Sequence, residues 1–455
     1  MAMIETSYKL TAFSDILPAL RKLFETDLNE ANYYIRRYRV EIPEVDLLGW
    51  LYHQKSATKI FWSSRDYDIR IAGIGVADQL ELDEKSSIEA TLALVKENLA
   101  HADERVRYFG GFKFDIYSPT EPIWNDYNRG RLVVPRFELE IKNQKTYLAV
   151  NFKPLYDDID EILDEIEQIN FVLNEIPAFD NKLVSRTDYP DKKGWDKNLS
   201  TAFASFANGE YQKIVMARRS QFEFEKKINP QTVLNLMTHN TPNCFNFCFQ
   251  FDERSSFVGA SPERLYYRKR NQIECEAIAG TRARRENDDQ QTETELLNSE
   301  KDVREHRYVV NSIKEALAEL TSNGELQREH KVGVVRLSRL MHLISRFKLT
   351  IKDEVGDFEL LNSLHPTAAV GGYPQKATLY KINELEQFDR GWYAAPVGWI
   401  SKERSEFSVA IRSGLICDNS IYLYSGAGIV DGSQSDDEWV EIENKIGNFL
   451  KALGL

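Results

Sequence analysis

NCFNFCFQF, residues 243–251, sets Phe245, Phe247, Phe249 and Phe251 at every second position, with Cys244 and Cys248 alternating with them. A period of two belongs to a β-strand, because successive side chains leave a pleated chain on opposite faces. The two cysteines are therefore read as strand residues and not as half of a zinc site. The pattern extends to both sides, in KIVMARRSQFEF (213–224), SSFVGASPERLYYRK (255–269) and QIECEAIAG (272–280). Successive strands with short turns imply antiparallel pairing.

Further along, helices are expected at 294–320 and 333–347, then a glycine-rich turn, more strands and a closing helix at 436–453. The first 150 residues hold amphipathic helix candidates near 16–24 and 88–98, between strand-like runs TKIFWSS, RLVVPRFELEI and TYLAVNF. Residues 155–175 place Ile159, Ile162, Leu163, Ile166, Ile169 and Leu173 on one helical stripe, with acids on a solvated opposite face. The polar, turn-rich stretch IPAFDNKLVSRTDYPDKKGW (176–195) is the candidate boundary or long connection between 1–190 and 191–455. The class that results is α+β, with large antiparallel sheets and outer helices, read as one structural domain.

The 455 residues carry 58 Lys plus Arg against 71 Asp plus Glu, a net charge of -13, which argues against a nucleic-acid partner. A small anionic ligand stays open, since one pocket can be basic on an acidic surface. No apolar run approaches the roughly 18 residues of a membrane span, and the start MAMIETSYKLTAFSDILPAL has no apolar core behind a basic segment. With only Cys244, Cys248, Cys275 and Cys417, no disulfide framework is expected, and the expected compartment is the cytoplasm.

Ser435 three residues before Glu438 matches a capping box for the closing helix. Trp439, Ile442, Ile446, Phe449, Leu450 and Leu453 form its apolar stripe, with Glu438, Glu441 and Lys445 along one edge. Charges at such an edge are expected to be half-buried and paired or ligated; a solvent-facing Glu to Lys pair at i, i+4 is the alternative. Asp302, Glu305, His306 and Val309 share a face of the helix expected at 294–320. Carboxylates from two helices repel on meeting unless protonated or bridged by a hard cation such as Mg2+.

Lys213 sits in an apolar strand, where burial would disfavour its charged form, and a neutral amine is a base; a lysine pointing outward from an edge strand is the alternative. Glu263 follows Ser-Pro at a turn. Buried, it would hold its proton and be suited to giving it up; otherwise it pairs with Arg264. Glycines in AIAGTR (Gly280), AVGGYP (Gly371, Gly372) and YSGAGIV (Gly426, Gly428) mark turns that lack the context of a dinucleotide loop or P-loop. They permit tight turns or let backbone N–H groups approach an anion. Arg412 in FSVAIRSG suits bidentate carboxylate binding or a structural ion pair.

In order along the chain, YQKIVMAR, GASPERL, EAIAGTRARR, ELLNSEKDVREH, LHPTAAVGGYP, FDRGWYAAPVGW, FSVAIRSG and YSGAGIV, followed by EWVEIENK, resemble the chorismate-utilising enzymes and, within them, the isochorismate synthases. These motifs cover about 211–445; the first 190 residues are similar only through FWSSRDYDIRIAGIG and RYFGGFKFD. The resemblance implies one large domain, its sheets packed as a sandwich with outer helices, its site between sheet and helices, Mg2+ as cofactor and chorismate as substrate. It implies Lys213 as the base that activates water for attack on ring carbon 2, and Glu263 as the acid that protonates the hydroxyl leaving carbon 4. Glu305 and Glu441 match magnesium ligands, with Asp302 and Glu438 at neighbouring acidic positions. Arg412, Lys445 and the Gly426 to Gly428 backbone match positions that hold substrate carboxylates; Gly280, Thr281, His365 and Tyr424 line the same site. No amidotransferase subunit is expected. A salicylate synthase, which keeps the same base and acid and then eliminates pyruvate, and a non-catalytic metabolite-binding relative stay as alternatives. The destination of the product, menaquinone or a catecholate siderophore, is left open.

Overall fold

In the computed structural model, which describes residues 9–26, 33–66, 68–171, 174–285, 288–322, 327–328, 331–337 and 340–455, the phenylalanine-rich strand runs over Phe245–Gln250. Both of its faces are used. Phe245, Phe247 and Phe249 enter a core shared with Trp62, Trp392 and Trp399, and Cys248 belongs to a second core with Val258, Leu234 and Ile446 on the opposite face. Each ring taken out of water contributes about 2–3 kcal/mol. A slip of one residue would exchange the two sets, so the register is strongly specified.

This strand pairs with Lys59–Ser63 on one side and Ser255–Ser261 on the other. Among the described residues it lies within a 12-stranded antiparallel sheet that continues through Ser413–Cys417 and Ser420–Val430 to Lys213–Phe224. A second sheet, of 10 strands, contains Arg264–Lys269, Gln272–Ala283, Leu340–Thr350 and Arg404–Val409. Trp62 and Phe247 of the first sheet share one core with Phe109, Trp399 and Phe407 of the second, so the sheets pack face to face. The outer face of the larger sheet is covered by Ile16–Thr26, Leu47–His53, Pro230–Asn240 and Ser435–Ala452. Strands from before and after residue 190 pair directly: Lys59–Ser63 with Phe245–Gln250, and Tyr108–Phe112 with Pro396–Ile400. The chain passes from the larger sheet to the smaller one at Pro262 and Glu263.

The segment 333–347 is not a helix. It forms strands Gly333–Arg336 and Leu340–Thr350, the latter paired along its length with Gln272–Ala283. Residues 340–345 are all buried, so the apolar run covers both faces and loses the alternation that marks a strand. The helix expected at 294–320 is two, Asp289–Asn298 and Glu300–Ala318, divided at Ser299, whose hydroxyl caps the second by accepting from Asp302 N. A helix, Pro230–Asn240, stands where a short turn between strands was expected; Asn229 caps it and proline fills its first position. The stripe at 155–175 yields only Ile159–Glu167, with Ile169 beyond its end and Leu173 outside the described residues.

Residues 176–195 are no irregular connection, since they contain strand Leu183–Tyr189, paired with Lys213–Phe224, and the start of helix Lys192–Ala207. Most of that strand is exposed, which removes the apolar face a sequence pattern would reveal. Ser435 does not cap the closing helix: it is the first helical residue, and its hydroxyl donates to Asp196. Among the described residues no helix is long and apolar enough to cross a membrane, and all four cysteines are free.

Candidate active site

Lys213 opens the strand Lys213–Phe224, where its neighbours on the sheet are Val430 and Tyr373. It is wholly buried, so the outward-pointing alternative falls away. Its Nζ lies 3.0 Å from Glu305 Oε1, an ion pair that joins the sheet to helix Glu300–Ala318. Gly428 makes room for that pair. A Cβ added there would sit 2.4 Å from Glu305 Oε1 and 2.9 Å from Lys213 Cε. Gly428 and Gly426 thus lie inside strand Ser420–Val430, and Gly280 lies inside Gln272–Ala283 at a register shift; none is in the turn expected from sequence. At Gly280 φ is +75°, and a Cβ would crowd Asp302 at 3.1 Å.

Glu263 occupies the corner between the two sheets, and its backbone is fixed from three directions. Its N–H donates to Ser261 Oγ (3.2 Å), and its carbonyl accepts from Val409 N (3.1 Å) and Ser408 Oγ (2.8 Å). The expected alternative, a pair with Arg264, does not form: that guanidinium donates to Glu406 at 3.0 Å instead. Burial pushes the Glu263 carboxyl up to about 8; the charges of Lys213, Lys445 and Arg412 oppose the rise, and Glu276 adds to it. The result is a carboxyl that holds its proton at neutral pH.

Glu263, Gly280, Thr281, Glu305, Arg412, Tyr424, Gly426, Gly428 and Lys445 line one cavity of about 770 Å³. Arg412 takes a left-handed backbone conformation, φ +52°, which is uncommon for a residue with a side chain. Its Nη2 donates to His342 Nε2 at 2.9 Å, and among the described residues it forms no ion pair with a carboxylate. A guanidinium only donates, so His342 Nε2 accepts and Nδ1 carries the proton, which it donates to Thr281 Oγ1 at 3.0 Å. Burial, with Arg412 beside it, holds His342 neutral. Lys445 Nζ donates to Gly426 O at 2.8 Å and pairs with Glu441 at 2.7 Å. One wall thus offers two cations to an anionic ligand.

His342 and Tyr393, which stacks on Tyr424 with ring centroids 5.2 Å apart, were not singled out from sequence. His342 hid in the run misread as helical. His365, by contrast, does not line the cavity. Its Nε2 lies 2.9 Å from Phe114 O, its ring meets the Phe114 ring edge-on, and burial lowers it to about 4, so it is neutral. Asp302 is held by Arg282 at 3.0 Å, and His306 Nε2 lies 2.9 Å from Ser345 Oγ. The two acidic helical edges do meet, through Lys301, which reaches from Glu300–Ala318 to the buried Glu438 of the closing helix at 2.9 Å. Burial, with Glu441 nearby, raises the Glu438 carboxyl. Among the described residues no group of three or more His, Cys, Asp or Glu side chains is arranged to hold a metal ion.

The family described as chorismate binding enzyme matches residues 21–454. The isochorismate synthase MenF of Bacillus subtilis is 30% identical over 472 aligned positions, covering 99% of each chain. A chloroplastic isochorismate synthase of Catharanthus roseus is 32% identical, covering 87% of this chain and 70% of the relative. The solved structure of MenF, the menaquinone-specific isochorismate synthase of Escherichia coli, superposes with a TM-score of 0.85 at 29% identity, covering 96% of this chain and all of that one. A match across almost the whole length, on a fold of two packed antiparallel sheets with a cation-lined cavity between sheet and helix, places this chain in the chorismate binding enzyme family.

Proposed function

We propose that the chain is an isochorismate synthase, converting chorismate to isochorismate. The observation that carries the reading is the meeting, at one cavity, of the buried Glu263 carboxyl with Glu305, whose ion-pair partner Lys213 lies buried behind it. In this reading the Lys213 amine, once deprotonated, takes a proton from the water that adds at ring carbon 2. The ring double bonds shift, and Glu263 gives its proton to the hydroxyl that departs from carbon 4 as water. One water enters and one leaves, so the reaction is an isomerisation with no redox step. Arg412, which donates to His342, and Lys445 take the substrate carboxylates, beside the backbone of Gly426 and Gly428. Tyr424 and Thr281 complete the wall. Each positioned proton transfer supplies about 10²–10⁴-fold in rate.

Mg2+ suits the donors present, because Glu305 and Glu441 are hard oxygen ligands on facing helices and a divalent cation of this kind keeps several waters. When bound by these two residues, Mg2+ would neutralise a substrate carboxylate. Glu438 pairs with Lys301 and Asp302 with Arg282, at the neighbouring acidic positions. Glu441→Gln should weaken Mg2+ activation at least tenfold or so, read as the concentration giving half-maximal rate; an unchanged titration would put the ligand elsewhere. Gly428→Ala should cut kcat/KM steeply by forcing Glu305 and Lys213 apart, and wild-type kinetics in that variant would mean the pair is dispensable.

The same reading treats 1–190 and 191–455 as one structural unit, which the shared sheets support. It needs no ammonia-delivering subunit and operates in the cytoplasm. Full-length likeness to MenF proteins favours menaquinone over a siderophore as the product's destination. The deciding experiment incubates the purified protein with chorismate and Mg2+ and separates the products. Isochorismate is expected; salicylate with pyruvate, or no turnover, would overturn the reading.

A further inference from the structure

Two residues beyond strand Lys59–Ser63, in the part of the chain least legible as chemistry, Arg65 extends its side chain to the corner that carries Glu263. The side chain is 11% exposed. Nη1 donates to Glu276 Oε2 at 2.8 Å and to Pro262 O at 3.1 Å, and Nη2 donates to Glu276 Oε1 at 2.8 Å. This is the two-pronged geometry in which a guanidinium matches a carboxylate. Pro262 has no N–H, so its carbonyl is the only backbone polar group by which that residue can be held. Ser261, Ser408 and Val409 fix Glu263 itself; Arg65 fixes the residue before it.

We propose that Arg65 is a positioning residue for the Glu263 carboxyl: it clamps the inter-sheet corner through Pro262 O and neutralises the buried Glu276 beside it. The proposal rests on the isochorismate synthase reading. The charged groups that face Glu263 are Lys213 from strand Lys213–Phe224, Glu276 from Gln272–Ala283, Arg412 beyond Arg404–Val409 and Lys445 from the closing helix. Glu276 is the acid among them, and its other cation, Arg346, lies farther off at 3.5 Å on a side chain 45% exposed. The Arg65 fork therefore sets how much negative charge Glu263 meets.

The test compares chorismate turnover by wild type, Arg65→Met, Arg65→Lys and Glu276→Gln over a range of pH. An acid works only while protonated, so activity is present below its pKa and lost as pH rises through it. Arg65→Met bares Glu276, favours the protonated carboxyl and should move the alkaline limb of kcat/KM to higher pH. Glu276→Gln should move that limb to lower pH. Arg65→Met should also lower kcat by about tenfold or more with KM within about twofold, the mark of a displaced reacting group. Arg65→Lys, which keeps the charge and loses the fork, should leave the limb in place and lose part of kcat. A merely structural pair would shift melting temperature without moving the limbs in opposite directions, and that result would overturn the proposal. If Arg65→Met does not fold, Glu276→Gln and Arg65→Lys decide alone: limbs and kcat as in wild type sink it. Wild-type protein that makes no isochorismate would bring down the functional reading and this proposal with it; active wild type with unaltered variants brings down only the proposal.

Discussion

Lys213→Ala is expected to lower chorismate turnover by about 10²–10⁴-fold, the span of a lost general base, while the equilibrium binding of chorismate changes little. The side chain is wholly buried at the start of its strand, and the other basic residues there, Arg218 and Arg219, pair with Glu443 and Glu121. Lys445, which lines the cavity, donates to Gly426 O and pairs with Glu441. Carboxylate recognition is assigned to Arg412 and Lys445, which the substitution leaves in place; hence the expected split between rate and binding. Product separation gives the rate, and titration with chorismate gives the affinity. Near-normal turnover would remove Lys213 from the role of base, and a comparable loss of affinity would make it a binding group. Glu305 loses its partner in this variant, so a melting curve belongs beside the kinetics.

Glu263→Gln should cost a similar 10²–10⁴-fold, since an amide has no acidic proton to give. The wild type should show its own signature. With the carboxyl pushed up to about 8, the protonated form dominates at neutral pH, and activity falls as pH rises through that region. The glutamine variant should lose this limb from its residual rate. A wild-type profile of kcat/KM that is flat from pH 7 to about 9, or a limb that persists in Glu263→Gln, would assign the proton to another group.

How much of this was legible in the sequence depends on how far the deciding contacts reach along the chain. The strand around Phe247 could be read because rings and small residues alternate, and each face has its own core. Leu340–Thr350 could not, because six consecutive buried residues carry no period, and His342 was hidden with it. Lys213 stood out as a charge in an apolar strand, a local signal, whereas the roles expected of Glu263, Arg412 and Lys445 rested on the resemblance of their motifs to the family's. What completes the site is not local. Arg65 and Glu276 are 211 residues apart, and Lys301 and Glu438 137 apart, with nothing in either segment to announce the other. Gly428 was visible as a glycine, yet its use, as space inside a strand for an ion pair, appears only once helix and sheet are placed together.

The chain changes sheets at Pro262 and Glu263, while Lys213 remains in the larger sheet. The spacing of Glu263 and Lys213, the proposed proton donor and acceptor, is therefore set by how one layer rests upon the other, and not by any loop. A repacking of the aromatic interior that let the layers slide by about 1 Å would keep every strand intact and still misalign the chemistry. The proposed reaction accordingly depends on tryptophans and phenylalanines of the shared core that do not line the cavity.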